Sequence, residues 1–325
     1  MLVPAMKIPF DPAAHAGEST RLAFGKAALD LGERNPDIVL LTADSIAAVE
    51  AKEFFQRFPD RAFDVGIAEQ NLIGMAAGMA SCGLVPMIGG FGPFIVFRAL
   101  EQLRNDAAYT KLHMVMGGTY TGISMATGGS THHTTEDFAI LRSIANMTVL
   151  APADAREAYK ATVAACQHSG PVFIRLGGRT PEPVLYAEDY EFKIGKAVQL
   201  REGDNATIIA TGSLVFQAVL AADMLRQQGL NLRVLNMHTI KPLDEEAVVN
   251  AARETRLLIT VEEHNVLGGL GGAVAEVVTS RLPVRVVRIG IKDKFASIGP
   301  LADLQKKEGL TYEYIAAAAK QALAR

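Results

Sequence analysis

Cysteine is scarce: Cys82 and Cys166 are the only two in 325 residues. Two thiols cannot staple a chain of this size, which excludes a disulfide-framed secreted protein and makes a reducing cytoplasm the expected location. Excess charge is lacking too. The 32 Lys+Arg are scattered against 35 Asp+Glu, for a net charge of −3. No basic run could neutralise a phosphate backbone, so no nucleic-acid partner is expected. Aromatics make up only 6%, yet 49% of the chain is hydrophobic. That share excludes disorder and supplies cores for roughly two domains at about 150 residues each. The N-terminus, MLVPAMKIPF, lacks a continuous apolar core with a cleavage site, so no secretory signal is read there.

One long stretch lacks charge altogether. Asn71–Phe97 runs 27 residues without a charged side chain, long enough to span a bilayer. It also holds six glycines (74, 78, 83, 89, 90 and 92) with Pro86 and Pro93, and such punctuation spells helix, turn, strand and loop in succession. No membrane partner is expected.

What is present is an alternation of apolar strands and longer helical patterns. Strands are predicted at Ile38–Thr42, Val85–Ile88, Leu112–Met116, Met147–Leu150 and Val172–Leu176. Helices are predicted at Thr20–Arg34, Ala68–Cys82, Pro93–Tyr109, Thr135–Ile144 and Asp154–His168. Strands apolar throughout suit a parallel sheet covered on both faces. Asp154 followed by Glu157 resembles a helix N-cap with its back-reaching partner. The stretch 179–191, with two prolines and four acids, breaks the rhythm. Beyond it, strands are predicted at Ala206–Ala210, Leu232–Leu235, Leu257–Val261 and Val284–Ile289. Helices follow at Leu214–Gln228, Leu243–Arg253, Gly271–Arg281 and Glu313–Ala324. The fold class is α/β, with two parallel-sheet domains over residues 1–180 and 190–325.

Three glycine clusters invite a nucleotide reading. Gly268-Gly269-Leu270-Gly271-Gly272 precedes a helix but lacks the Lys-Ser/Thr ending of a P-loop and the dinucleotide spacing, so a tight loop is expected. Gly203-Asp204-Asn205 stands before a strand and reads as a hairpin-like turn. The third, Gly128-Gly129, leads into Ser130-Thr131-His132-His133, where no further ligand stands at a zinc spacing; no metal site is expected in this chain.

The chemistry concentrates between Asp64 and Asp137. Glu69 falls in the first turn of a small-residue helix, where a carboxylate is electrostatically favoured. Phe91, Phe94 and Phe97 recur at intervals of three, as a core stripe on a helix would. Taken in order, Asp64–Asn71, the Phe91/Phe94 segment, the Arg98–Asp106 helix, the Thr131-His132 loop and Ala151-Pro152-Ala153-Asp154 resemble the C-terminal portion of transketolase. The closer likeness is to the separate second subunit of a split transketolase, and it covers nearly the whole chain: a pyrimidine-binding domain followed by the transketolase C-terminal domain.

The resemblance implies thiamine diphosphate as cofactor, with transfer of a two-carbon ketol unit from a ketose phosphate to an aldehyde. It makes Glu69 the carboxylate that exchanges a proton with the aminopyrimidine ring, Phe91 and Phe94 its aromatic wall, and Arg98 and the strand-end Asp44 cofactor-proximal residues. Arg21 resembles a sugar-phosphate arginine, and His132 a catalytic histidine near the substrate hydroxyls. The Gly-Asp-Gly motif that would hold the diphosphate is missing after every strand. The implied partner is an N-terminal-type subunit of similar size that carries it and the Mg²⁺, in an α₂β₂ assembly with cofactor shared between unlike chains.

The sugar-binding positions depart from the pattern. Tyr120 replaces a substrate histidine, Gly128 an acceptor-reading aspartate and Ala48 a serine, while the last phosphate arginine falls at Gly178 or, one residue on, Arg179. Fewer polar contacts point to an unusual or branched sugar phosphate. Rival readings are the β subunit of a 2-oxo acid dehydrogenase, a deoxyxylulose-phosphate synthase, and a non-catalytic paralogue that binds a partner.

Overall fold

The computed structural model describes residues 17–186 and 190–324; the N-terminal segment read for a leader lies outside them. In the first half the elements are α1 (Thr20–Arg34), β1 (Ile38–Thr42), α2 (Lys52–Arg57), β2 (Ala62–Asp64), α3 (Glu69–Ser81) and β3 (Val85–Phe91). They continue as α4 (Leu100–Gln102), β4 (Val115–Thr119), α5 (Asp137–Ser143), β5 (Thr148–Leu150), α6 (Ala155–Cys166) and β6 (Val172–Arg175). The second half holds β7 (Val198–Arg201), β8 (Ala206–Ala210), α7 (Leu214–Arg226), β9 (Leu232–Asn236), β10 (Thr239–Lys241) and α8 (Glu245–Thr255). It closes with β11 (Leu257–Asn265), α9 (Leu270–Arg281), β12 (Arg285–Ile291), α10 (Leu301–Glu308) and α11 (Tyr312–Leu323).

Two sheets result. The first runs β10-β5-β6-β4-β3-β1-β2 and the second β12-β11-β8-β9-β7. Both are parallel except at one edge, where β10 pairs antiparallel with β5 and β7 antiparallel with β9. The chain therefore departs from two purely parallel, self-contained sheets: β10 comes from the second half and completes the first sheet. Gly203-Asp204-Asn205 joins β7 to β8, which are not neighbours, so it is a connection and no hairpin.

Each sheet has a point where successive strands are added on opposite sides. After β1 the chain adds β2 on one side and β3 on the other; after β8 it adds β9 on one side and β11 on the other. Crevices open at the carboxyl ends of parallel strands where the winding reverses. The interior strands are buried along their length, β1, β4, β6 and β8 at every residue, as double coverage requires. Phe24, Phe54 and Ala161 cover one face of the first sheet. Leu72, Val96 and Phe138 cover the other, in one apolar cluster with Val248 of α8 and Val274 of α9. That shared cluster welds the halves together.

The described part of the break, residues 179–186 and 190–191, is packed against the first half. Leu185 and Tyr186 are fully buried, and Tyr186 and Tyr190 both donate from their hydroxyls to Glu157 Oε1. Asp154 does cap α6, accepting from the Glu157 N–H at 2.8 Å. Glu157 reaches back one residue further than expected, to the Ala153 N–H at 2.7 Å. The predicted helix over 93–109 is three pieces, wide π-type turns at Phe94–Arg98 and Leu103–Tyr109 on either side of α4. Among the described residues no helix is long and apolar enough to cross a membrane.

Candidate active site

The crevice between β1 and β3 gathers most of the residues singled out from sequence. Phe91 ends β3 and Phe94 opens the first π-type turn, their ring centroids 5.7 Å apart. Phe91 stacks on Tyr120 at 5.2 Å, and His132 meets Phe94 edge-on at 5.3 Å. A guanidinium closes each end of this row: Arg98 lies 3.8 Å over the Phe94 ring, and Arg21 5.6 Å over the Tyr120 ring. Phe97 is not part of it. The wide turn carries Phe97 outward to 40% exposure, so the expected three-phenylalanine core stripe is broken.

Glu69, the first residue of α3, is buried. Its Oε1 accepts from Arg98 Nη1 at 3.0 Å, so a guanidinium stands beside it in place of a purely apolar wall. Among the described residues Oε2 has no hydrogen-bond partner. Asp44 stands exposed on the loop after β1, its N–H on Asp64 Oδ1 at 2.8 Å, and the same oxygen accepts from the Gly66 N–H. Asp64 thus ties the loop after β1 to the entry of α3.

At the opposite end, Arg21 is engaged by the chain itself. Nε donates to the Gly178 carbonyl, Nη1 to the carbonyls of Ala47 and Ala48, and Nη2 pairs with Glu50 at 2.7 Å. Arg179 is different: it is exposed, donates from Nε to the Tyr120 hydroxyl at 3.1 Å, and keeps its terminal nitrogens free among the described residues. His132 is half-buried with Nδ1 on Thr131 Oγ1 at 3.0 Å, leaving Nε2 open. The next histidine faces inward; His133 is buried, and desolvation lowers its pKa.

Backbone strain collects here. Asp44 (φ 52°), Glu50 (φ 54°), Tyr120 (φ 55°) and Ala126 (φ 51°) are non-glycine residues in the left-handed region. Asp tolerates it, but a tyrosine there costs about 1–3 kcal/mol, met by the packing around it.

The second crevice is not legible in the sequence as a site and turns out to be filled. Glu262 at the end of β11 accepts the Leu270 and Gly271 N–H groups at 2.6 and 2.8 Å. The anion at the start of α9 is therefore the chain's own carboxylate, which already takes the Leu270 and Gly271 N–H groups. Burial raises the Glu262 carboxyl to about 7. His264 beside it is lowered to about 4 by desolvation, consistent with a neutral ring whose Nε2 accepts the Ala139 N–H. Four polar residues, Glu262 to Asn265, close a mostly apolar strand next to a glycine-rich loop, a pattern that marks the place without showing that it is filled. Among the described residues no group of three or more His, Cys, Asp or Glu is arranged to hold a metal.

Residues 17–180 match the family described as transketolase, pyrimidine binding domain, and residues 195–315 match transketolase, C-terminal domain. The chain belongs to the transketolase family. It is similar to a 6-deoxy-6-sulfo-D-fructose transketolase subunit from Clostridium sp. (strain MSTE9), 42% identical across 91% of this chain and 92% of that one. It is 38% identical to an apulose-4-phosphate transketolase subunit from Phocaeicola vulgatus, across 91% of this chain and 94% of that one. A solved structure described as "Split gene transketolase, inactive beta4 tetramer" superposes with a TM-score of 0.86 at 40% identity, covering 95% of this chain and 99% of the other.

Proposed function

We propose that this chain is the second subunit of a split, thiamine diphosphate-dependent transketolase that moves a two-carbon ketol unit between sugars carrying an anionic terminus. One observation carries the reading: a single aromatic row joins an open buried carboxylate, Glu69, at one end to an exposed arginine, Arg179, at the other. The residues fit the cofactor's aminopyrimidine, since Glu69 Oε2 lacks a partner among the described residues and the Phe91 and Phe94 rings stand half-buried beside it. When bound, thiamine diphosphate supplies the electron sink for breaking the ketose C2–C3 bond. Mg²⁺ and the diphosphate fall to a partner subunit.

Within that frame Glu69 holds and exchanges a proton at Oε2 while Arg98 fixes its other oxygen. Phe91 and Phe94 bind and shield the pyrimidine face, with Asp44 on the flanking loop. His132 offers Nε2 to a substrate hydroxyl. Tyr120 spends its hydroxyl on Arg179, which aims that guanidinium at a phosphate or sulfonate. Arg21 braces Tyr120 and the 47–50 loop and supplies charge from behind. Gly128 offers no side-chain acceptor and Tyr120 commits its hydroxyl to Arg179, so two readers of ordinary sugar hydroxyls are missing, which favours a branched or otherwise unusual sugar phosphate. The relatives named for 6-deoxy-6-sulfo-D-fructose and apulose 4-phosphate support that substrate class.

The test is reconstitution. Purified chain alone should bind thiamine diphosphate weakly and show no ketol transfer. Adding a Gly-Asp-Gly-bearing partner should restore both, by calorimetry and by a coupled assay over a donor–acceptor panel. Robust turnover by the chain alone, or acyl transfer to a lipoyl group in place of an aldehyde, would sink the proposal. Ribose 5-phosphate as the best acceptor would remove the specificity assigned to Gly128 and Tyr120.

A further inference from the structure

We infer that Glu263, on the second sheet, is a positioning residue for the crevice of the first: its carboxylate fixes the paired backbone that carries Tyr120 and His132. The inference rests on the ketol-transfer reading of that crevice. Tyr120 and His132 each lie two residues before a partner in an isolated antiparallel bridge, Gly122 with Thr134. The bridge has both hydrogen bonds, Gly122 N–H to Thr134 carbonyl at 3.0 Å and Thr134 N–H to Gly122 carbonyl at 2.8 Å. Two loops that present side chains to one substrate are thereby locked in one relative register.

That bridge is clamped from the other half of the chain. Glu263 Oε1 accepts the Ile123 N–H at 3.0 Å, and its Oε2 accepts from Gln305 Nε2 at 3.2 Å. Arg175 Nη2 donates to the Thr134 carbonyl at 3.2 Å and to the Glu263 carbonyl at 2.8 Å, while its Nε pairs with Asp137 at 2.7 Å. The Asn265 N–H donates to the Thr135 carbonyl at 2.8 Å, and Ser130 Oγ to the Ala296 carbonyl at 2.7 Å. The fit is tight: a Cβ on Gly122, at φ +60°, would fall 2.2 Å from Glu263 Oε1. Glu263 is only 3% exposed, and a buried carboxylate is a poor device for stability, because apolar packing of the same volume does as well or better. What it does supply is direction, through two fixed acceptor oxygens. Glu69 sits outside this clamp, on α3, so Glu263 acts on the sugar side of the crevice and not on the cofactor side.

Glu263→Ala and Glu263→Gln separate positioning from general support. In the reconstituted complex, Glu263→Ala should raise the KM for sugar substrates on the order of tenfold or more. Deuterium exchange at the cofactor's reactive carbon, which reports Glu69, should stay within about twofold of wild type. In the isolated chain, amide exchange over residues 119–136 should quicken about tenfold while α3 is unchanged. Glu263→Gln, which keeps an acceptor at Oε1, should restore most of both. If the alanine variant does not fold, Glu263→Asp, which withdraws the carboxylate by one methylene, is read by the same criteria. A folded variant with unchanged exchange over 119–136 and unchanged KM overturns the inference, and so does loss spread equally over α3 and the cofactor. A wild-type complex without ketol transfer overturns the functional reading instead. The amide-exchange arm needs neither cofactor nor partner and still decides the positioning claim.

Discussion

The two sheets build the same crevice twice and use it in opposite ways. At the first, between β1 and β3, the carboxylate of Glu69 meets one guanidinium and keeps an oxygen open. At the second, between β8 and β11, Glu262 fills the start of α9 with both oxygens, Glu263 has both occupied, and His264 is sealed beside them. The first crevice carries left-handed, strained residues at Asp44 and Tyr120; no residue of the second sheet's 262–265 strand end does. An α/β switch point is thus only an opportunity. It becomes a site where the chain withholds its own groups, and a buttress where it supplies them.

The sharpest way to break this comparison is to swap consequences between the two acids. Glu69→Gln keeps the size but removes the exchangeable carboxylate. Deuterium exchange at the cofactor carbon in the reconstituted complex should fall about 10²–10⁴-fold with folding stability nearly unchanged. Exchange at the wild-type rate in a folded, assembled variant would take Glu69 out of the mechanism. Glu262→Ala should do the reverse. Two buried N–H groups lose their acceptor, which costs about 1–3 kcal/mol by urea unfolding, while cofactor exchange in the complex persists. A stability cost near zero would show that the second crevice is not held by its own carboxylate.

A smaller effect tests the filled carboxylates through pH. Glu182 acts from 162 residues away as the missing cap of α1, accepting from the Thr20 N–H and hydroxyl, since Ser19 makes no cap bond. Burial lifts the Glu182 carboxyl to about 7 from an ordinary 4.5. Between those values the folded chain binds more protons than the unfolded. This contribution is therefore greatest below about pH 4.5 and is lost as pH rises through about 7. Glu182→Gln cannot ionise. Its stability relative to wild type should improve by on the order of 1–2 kcal/mol between pH 5 and 7.5, read as urea midpoints at each pH. Parallel pH profiles for the two proteins would refute it.

How much of this was legible varied with how local the cause was. Thr20–Arg34, Ile38–Thr42 and Ala206–Ala210 can be read end to end, because periodicity and uninterrupted apolar runs are local properties. β7 and β10 are too short and too mixed to declare themselves, and both are antiparallel edges whose pairing is set by distant strands. The wide turns around Phe94–Arg98 are hidden because a spacing of three suits an ordinary helix equally well. In the site, Glu69, Phe91, Phe94, Tyr120 and His132 fall together as the motif order leads one to expect. The engagement of Arg21 by carbonyls and Glu50 does not show in sequence, since its partners lie 26 to 157 residues away. Glu263 is hidden for the same reason: its meaning depends on Ile123, 140 residues earlier.

The short strand Thr239–Lys241 has one more consequence. It leaves the second half, covers the flank of β5 and returns into α8, so the first sheet is finished only after the second is under way. The two halves are interlocked like stitched cloth. Removing the second half would uncover the hydrogen-bonding groups of Val149 and Leu150 along a raw β edge, the kind of surface on which chains precipitate. That stitch and the shared apolar cluster hold the two halves of this chain as one unit.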